Sequence, residues 1–215
     1  MRCAERTILA ATAWLLLGLA GCATAPSPSI PSMPASAPAV ARVPEPAVSA
    51  AVQREFADAL GAMKLEHYPE AERALLGLTR AHPELSGPYA NLGVVYFRQG
   101  KLPEATEALK RAIDINPGRA AYYNQLGVVY RQSGQFVQAR AAYSQALRVD
   151  PDYRRAHLNL GILYDLYLQD LGKALQHYER YQALASPADA QVAKWIIDLK
   201  QRSQTAEKTA KGSIE

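Results

Sequence analysis

Tyr89-Ala90-Asn91-Leu92-Gly93-Val94-Val95-Tyr96 returns further along the chain as Tyr123-Asn124-Gln125-Leu126-Gly127-Val128-Val129-Tyr130. Behind the first copy stand Ala105, Leu109, Ala112 and Pro117. Behind the second stand Ala139, Tyr143, Ala146 and Pro151, each pair separated by 34 residues. A fixed period of this length marks stacked supersecondary units, none of which buries its apolar face alone.

Each recurring residue type has a steric reason. Gly93, Gly127 and Gly161 sit inside helical patterns, where glycine costs about 1 kcal/mol relative to alanine. Three such glycines at one phase call for close helix–helix approach, and Ala59 fills that phase in an earlier, weaker copy. Ala71, Ala105, Ala139 and Ala174 are the small residues expected where the second helix of each pair crosses the first. Tyr96, Tyr130 and Tyr164 are the bulky partners expected to wedge between helices. Pro83, Pro117 and Pro151 end the second helices, because the residue before a proline avoids the helical region. The pattern predicts four repeats, about 52–85, 86–119, 120–153 and 154–187. The last carries one extra residue in its turn, between residues 169 and 172, because Ala174 and Tyr178 arrive one place late.

A bulky residue, then Leu-Gly, Tyr, Ala, an aromatic or Leu, Ala and Pro at these offsets resembles the tetratricopeptide repeat. The resemblance implies an all-α fold: a superhelix of four helix-turn-helix repeats with a concave groove. A C-terminal capping helix is expected over 187–202, within a domain spanning 51–202. It starts with Ser186 as cap, Pro187 in the first turn and Asp189 near the positive end of the helix dipole. Val192, Trp195, Ile196 and Leu199 fall on one side of it. Residues 203–215, apolar only at Ile214, are expected to be a disordered tail.

Ahead of the repeats, residues 1–21 read as a secretory signal. Arg2 and Arg6 precede an apolar run from Ile8 to Leu17, too short to cross a membrane. The run leads to Leu19-Ala20-Gly21-Cys22, which resembles the lipobox of bacterial lipoproteins. That resemblance implies lipidation at Cys22 and, with Ala23 following, an outer-membrane lipoprotein facing the periplasm. Cys3 leaves with the signal, so the mature chain keeps no free thiol for disulfide or thiol chemistry. Residues 22–50 hold half of the chain's 14 prolines and few bulky apolar residues. They read as an extended linker, reaching at most roughly 80 Å at about 3 Å per residue.

Charge and motifs exclude several functions. The formal net charge is +4, and loss of Arg2, Arg6 and Glu5 leaves +3, scattered along the chain. No nucleic-acid footprint follows from this. The histidines, His67, His82, His157 and His177, form no metal-binding spacing, and there is no phosphate loop. The expectation is therefore no enzyme, no cofactor, no metal and no small-molecule substrate. The tetratricopeptide resemblance implies a protein or peptide ligand in the concave groove, while the lipid anchor holds the membrane. Groove-lining candidates are Phe56 and Leu60 from the first repeat and Ala90, Val94, Phe97 and Arg98 from the second. Asn124, Val128, Arg131 and Gln132 come from the third repeat, and Leu158, Ile162 and Asp165 from the fourth. Asn91 and Asn159 are expected to bond neighbouring helices. Such lipoproteins resemble the pilotins of type IV pili, which implies a scaffold assisting assembly of an envelope complex such as a secretin. The alternatives are an adaptor for peptidoglycan hydrolases or synthases, or a periplasmic partner of an energised transport complex.

Overall fold

A computed structural model describes residues 46–212, in which every regular element is an α-helix. In chain order these are α1 (Ala50–Lys64), α2 (Tyr68–Ala81), α3 (Ser86–Arg98), α4 (Leu102–Ile115) and α5 (Ala120–Gln132). They continue with α6 (Phe136–Val149), α7 (Arg154–Leu166), α8 (Leu171–Ala183) and α9 (Ala190–Gly212). The expected signal, the lipidation at Cys22 and most of the linker lie outside the described residues. The fold begins at Ser49, whose Oγ accepts from the Val52 amide at 3.3 Å and caps α1.

Helices pair as α1/α2, α3/α4, α5/α6 and α7/α8, and α2 and α4 start with a proline in their first turn. Residues 65–67, 99–101 and 133–135 separate the first three pairs, whereas 167–170 separate the fourth, so the extra residue falls in that turn. Each turn contains one residue with positive φ: Glu66 (60°), Gly100 (77°), Gly134 (72°) and Gln169 (54°). The two strong repeats place a glycine here; the terminal ones hold a longer side chain in a region that costs it about 1 kcal/mol or more.

The first helices of successive pairs touch: α1 meets α3, α3 meets α5 and α5 meets α7. No two of α2, α4, α6 and α8 meet. The first helices therefore form the inner wall of the stack and the second helices the outer wall. On the open N-terminal side, Glu55 and Asp58 are exposed at the phases that Tyr89 and Leu92 fill one repeat later. A terminal unit has no neighbour to cover apolar groups there.

Close approach at the glycines is real, and residues of the second helices make it. Leu109, Tyr143 and Tyr178, on the second helices, press on Gly93, Gly127 and Gly161. Tyr96 is half-buried between the cluster of Leu75, Leu78 and Leu92 and that of Leu109, Leu126 and Val129. Tyr130 is half-buried between the latter and the C-terminal cluster, and Tyr164 is buried in the C-terminal cluster, so all three sit between helices as expected. A Cβ on Gly127 would lie 2.5 Å from the Tyr143 ring. Tyr143 is fully buried and has nowhere to turn. Gly127→Ala is therefore expected to destabilise by about 1–3 kcal/mol through overpacking. Gly77→Ala, at an exposed site with nothing within 4 Å, is expected to stabilise by about 1 kcal/mol through helix propensity. Thermal melts of the two variants should move in opposite directions; a common direction would remove close approach as the reason for Gly127.

Helix α9 covers the end of the array. Val192 and Leu199 are buried, and Trp195 and Ile196 pack on the same cluster with Tyr178 and Leu163. The cap is Asp189 rather than Ser186. Its Oδ1 accepts from the Gln191 amide (2.9 Å) and the Val192 amide (3.2 Å), while Tyr181 donates to its Oδ2 (3.0 Å). Gln182 also pairs with the Asp189 backbone at both N and O, so α8 fixes the place where α9 starts. The helix continues through residues 203–212, expected from sequence to be disordered. Ser, Gln, Thr, Ala, Glu and Lys fill that stretch, with no proline and no glycine before Gly212. No helix among the described residues is long and apolar enough to cross a membrane.

Candidate peptide-binding groove

The inner wall is built from α1, α3, α5 and α7, and a stripe at i, i+4 along each helix faces away from its packed partners. On α3 the stripe runs Ala90, Val94, Arg98, beside Phe97. Ala90 is only 6% exposed, packed among Ala112 and Tyr122. It is removed from the lining, because the start of α5 comes too close. Val94 and Phe97 are half-buried and Arg98 is exposed. Leu60 is 39% exposed and Phe56 half-buried on α1.

On α5 the sequence-derived lining changes most. Asn124 is 3% exposed, and its Oδ1 accepts from Asn159 Nδ2 at 2.9 Å. It is a buried bridge between α5 and α7, not a ligand contact; a buried amide is retained when it is hydrogen-bonded. Asn159 bonds a neighbouring helix as expected from sequence, but Asn91 does not: its Nδ2 donates to Gly87 O of its own helix at 2.9 Å. Val128 is half-buried on the C-terminal cluster and Gln132 is exposed. Arg131 is half-buried beside the phenols of Tyr143 and Tyr167. Burial opposes its charge, but the two phenols outweigh it and hold the guanidinium protonated.

On α7, Leu158 and Ile162 are half-buried against the same cluster. Asp165 accepts from Arg202 of α9 at 2.9 Å, so the acid on this stripe is already neutralised within the chain. Nothing in sequence periodicity ties residue 165 to residue 202. Sequence reasoning also missed the exposed apolar pair Leu166 and Tyr167, 64% and 41% exposed, which extends the strip past Ile162. Phe136 packs on Tyr167 with ring centroids 4.5 Å apart.

What remains is an inner face of half-buried apolar side chains, Phe56, Val94, Phe97, Val128, Leu158 and Ile162, bordered by Leu60, Arg98, Gln132 and Leu166. Such a strip offers apolar contact and a few donors to a bound segment. It holds no nucleophile–base pair, and no group of His, Cys, Asp or Glu among the described residues could hold a metal ion.

Family models of the tetratricopeptide repeat match residues 84–152 and 124–190. The chain carries tetratricopeptide repeats, and its helices form a tetratricopeptide superhelix. Among solved structures, Pseudomonas aeruginosa pilF is similar at a TM-score of 0.66 and 20% identity, over 72% of this chain and 70% of that one. A thermophilic tetratricopeptide protein of Thermus thermophilus is similar at 0.60 and 27% identity, over 70% of this chain and 81% of that one. The first such domain of Spaghetti (RPAP3), solved with an HSP90 peptide, is similar at 0.52 and 23% identity, over 55% of this chain and 93% of that one. No curated protein matches the chain. The fold these comparisons share suggests a protein–protein interaction scaffold, and proteins built of such repeats are generally non-catalytic.

Proposed function

We propose that this protein is a lipid-anchored, non-catalytic scaffold of a bacterial cell envelope. Its inner face takes a segment of a protein partner and thereby assists the assembly or stability of an envelope complex such as a type IV pilus or secretin. The observation that carries the binding reading is the inner strip of half-buried apolar side chains with Arg98 and Gln132 exposed along it. The anchor rests on the Leu19-Ala20-Gly21-Cys22 sequence. Placement in the outer membrane rests on Ala23, and the pilus reading has the fold likeness to pilF in its favour.

The test is crosslinking and pull-down from native envelopes with wild type, Val94→Glu and Val128→Glu. Each substitution puts a charge on the strip and leaves the packing glycines in place. The expected result is loss of the same partner with both variants at unchanged helicity, with that partner a secretin or pilus component. A partner retained by both variants would remove the inner face from the reading. A wall hydrolase or synthase as the lost partner would replace the pilus role with that of a wall adaptor.

A further inference from the structure

On the outer wall, α2 and α4 do not meet and leave a cleft of about 450 Å³ between them. Leu76, Leu92, Tyr89 and Tyr96 form its apolar part, and Glu104 and Glu107 stand on one wall with Arg111 at its end. The next cleft along, between α4 and α6, is larger at about 800 Å³ but differs in character. One repeat on, Lys110 replaces Leu76 and Gln138 replaces Glu104. Tyr89, Leu92 and Tyr96 recur as Tyr123, Leu126 and Tyr130, so the aromatic part comes with the repeat, whereas Glu104 and Glu107 become Gln138 and Ala141 and the acidic wall belongs to the first cleft.

Neither Glu104 nor Glu107 has an ion-pair partner among the described residues, whereas Glu72 on the facing helix is already held by Lys101 at 3.0 Å. Burial and the nearby carboxylates of Glu72 and Glu104 raise the Tyr96 phenol above its ordinary range, which places Glu104 within electrostatic reach of that ring. Both tyrosines already attract cations of the chain itself: Arg111 lies 5.9 Å from the Tyr89 ring centroid and Lys101 5.4 Å from that of Tyr96. Aromatic faces beside unpaired carboxylates favour a guanidinium or ammonium carried on an apolar stem.

We infer that the cleft between α2 and α4 docks a basic protein segment, seating one arginine or lysine against Glu104 and Glu107 and an adjacent apolar side chain on Leu76, Leu92 and Tyr96. This surface lies on the opposite wall from the inner strip, so one molecule can hold two partners, or two parts of one, at the same time.

The test is an amide-shift titration of the full chain with two short peptides, Leu-Arg-Leu-Arg and Leu-Glu-Leu-Glu. The expected result is that only the basic peptide moves the amides of Leu76, Tyr89 and Glu107. The double variant Glu104→Gln, Glu107→Gln, exposed and with no ion pair to lose, should weaken that binding by about tenfold or more. Val94→Glu, on the inner wall, should leave it unchanged. Equal binding of both peptides, an unaffected double variant, or shifts confined to the inner strip would each overturn the proposal. The inner-face reading rests on its own variants, so its failure and the failure of this proposal are read separately.

Discussion

Replacing Tyr178 with alanine is expected to destabilise the protein by about 3–5 kcal/mol, the range for deleting a buried large aromatic. Tyr178 is 2% exposed, at the junction of α7, α8 and α9. Its ring presses on Gly161, packs against Trp195 with centroids 5.5 Å apart, and shares a cluster with Leu160, Leu163, Val192 and Leu199. Gly161 makes the site hard to repair, because the helix there has no side chain to fall into the gap. Helix α9 meets no helix other than α8 along its backbone, so losing this ring should loosen α9 before the rest. For a domain of this size, a loss of 3–5 kcal/mol corresponds to a melting point lower by about 6–20 °C. Trp195 gives the local readout: its emission should shift to the red in the variant at temperatures where helicity persists. A melting point within about 2 °C of wild type would show that the cluster is not the keystone of the C-terminal end.

Acid should weaken the same end. His157 Nε2 lies 3.0 Å from Pro151 O, which fixes that nitrogen as a donor and turns Nδ1 toward His177. His177 Nδ1 lies 3.1 Å from His157 Nδ1, so one of the two facing nitrogens must accept and carry no hydrogen. The His177 ring also stacks on Tyr164, 5.7 Å between centroids at 5°. Burial, and then the neighbouring His157, lower His177 from 6.5 to about 4. A base depressed in the folded state binds its proton more readily when unfolded. The stability it contributes is complete above the unfolded value and is lost as pH falls from about 6.5 toward 4. The full shift corresponds to about 3 kcal/mol. Part of the ring reaches solvent, which trims the expectation to about 2 kcal/mol. Urea midpoints across this window should fall steeply for wild type, while His177→Phe, which keeps the stacking and cannot take a proton, should show a flatter profile. Parallel profiles would place the acid sensitivity elsewhere.

What could be read from sequence follows from whether a feature is repeated. Gly93, Gly127 and Gly161, the prolines after each second helix, and the late arrival of Ala174 all announce themselves through the period, and they place the helices and the extra turn residue. Contacts made once do not. Nothing periodic marks Arg202 reaching Asp165, or Tyr181 and Gln182 holding Asp189 as the cap in place of Ser186. The lining of the inner face lies between these cases. The phase identifies the stripe, but the depth of each position depends on how near the next helix comes, which buries Ala90 and Asn124 and leaves Val94 and Gln132 accessible. Which side chain meets each glycine is not legible in the period, because Tyr96 and Tyr143 are both aromatic and only packing tells them apart. Residues 203–212 lack apolar side chains, and their helix rests on propensity alone, a signal weaker than a stripe.

The contact pattern also fixes how the stack responds to load. The inner helices touch one another in succession and the outer helices never do, so the array is bound along one edge, as pages are at a spine. Straightening the array closes the outer clefts onto whatever lies in them and strains the inner contacts, whereas tighter curvature opens those clefts. The molecule is in this sense a compliant spring whose stiffness resides in the inner seam, and a guest wedged between two outer helices would set its curvature.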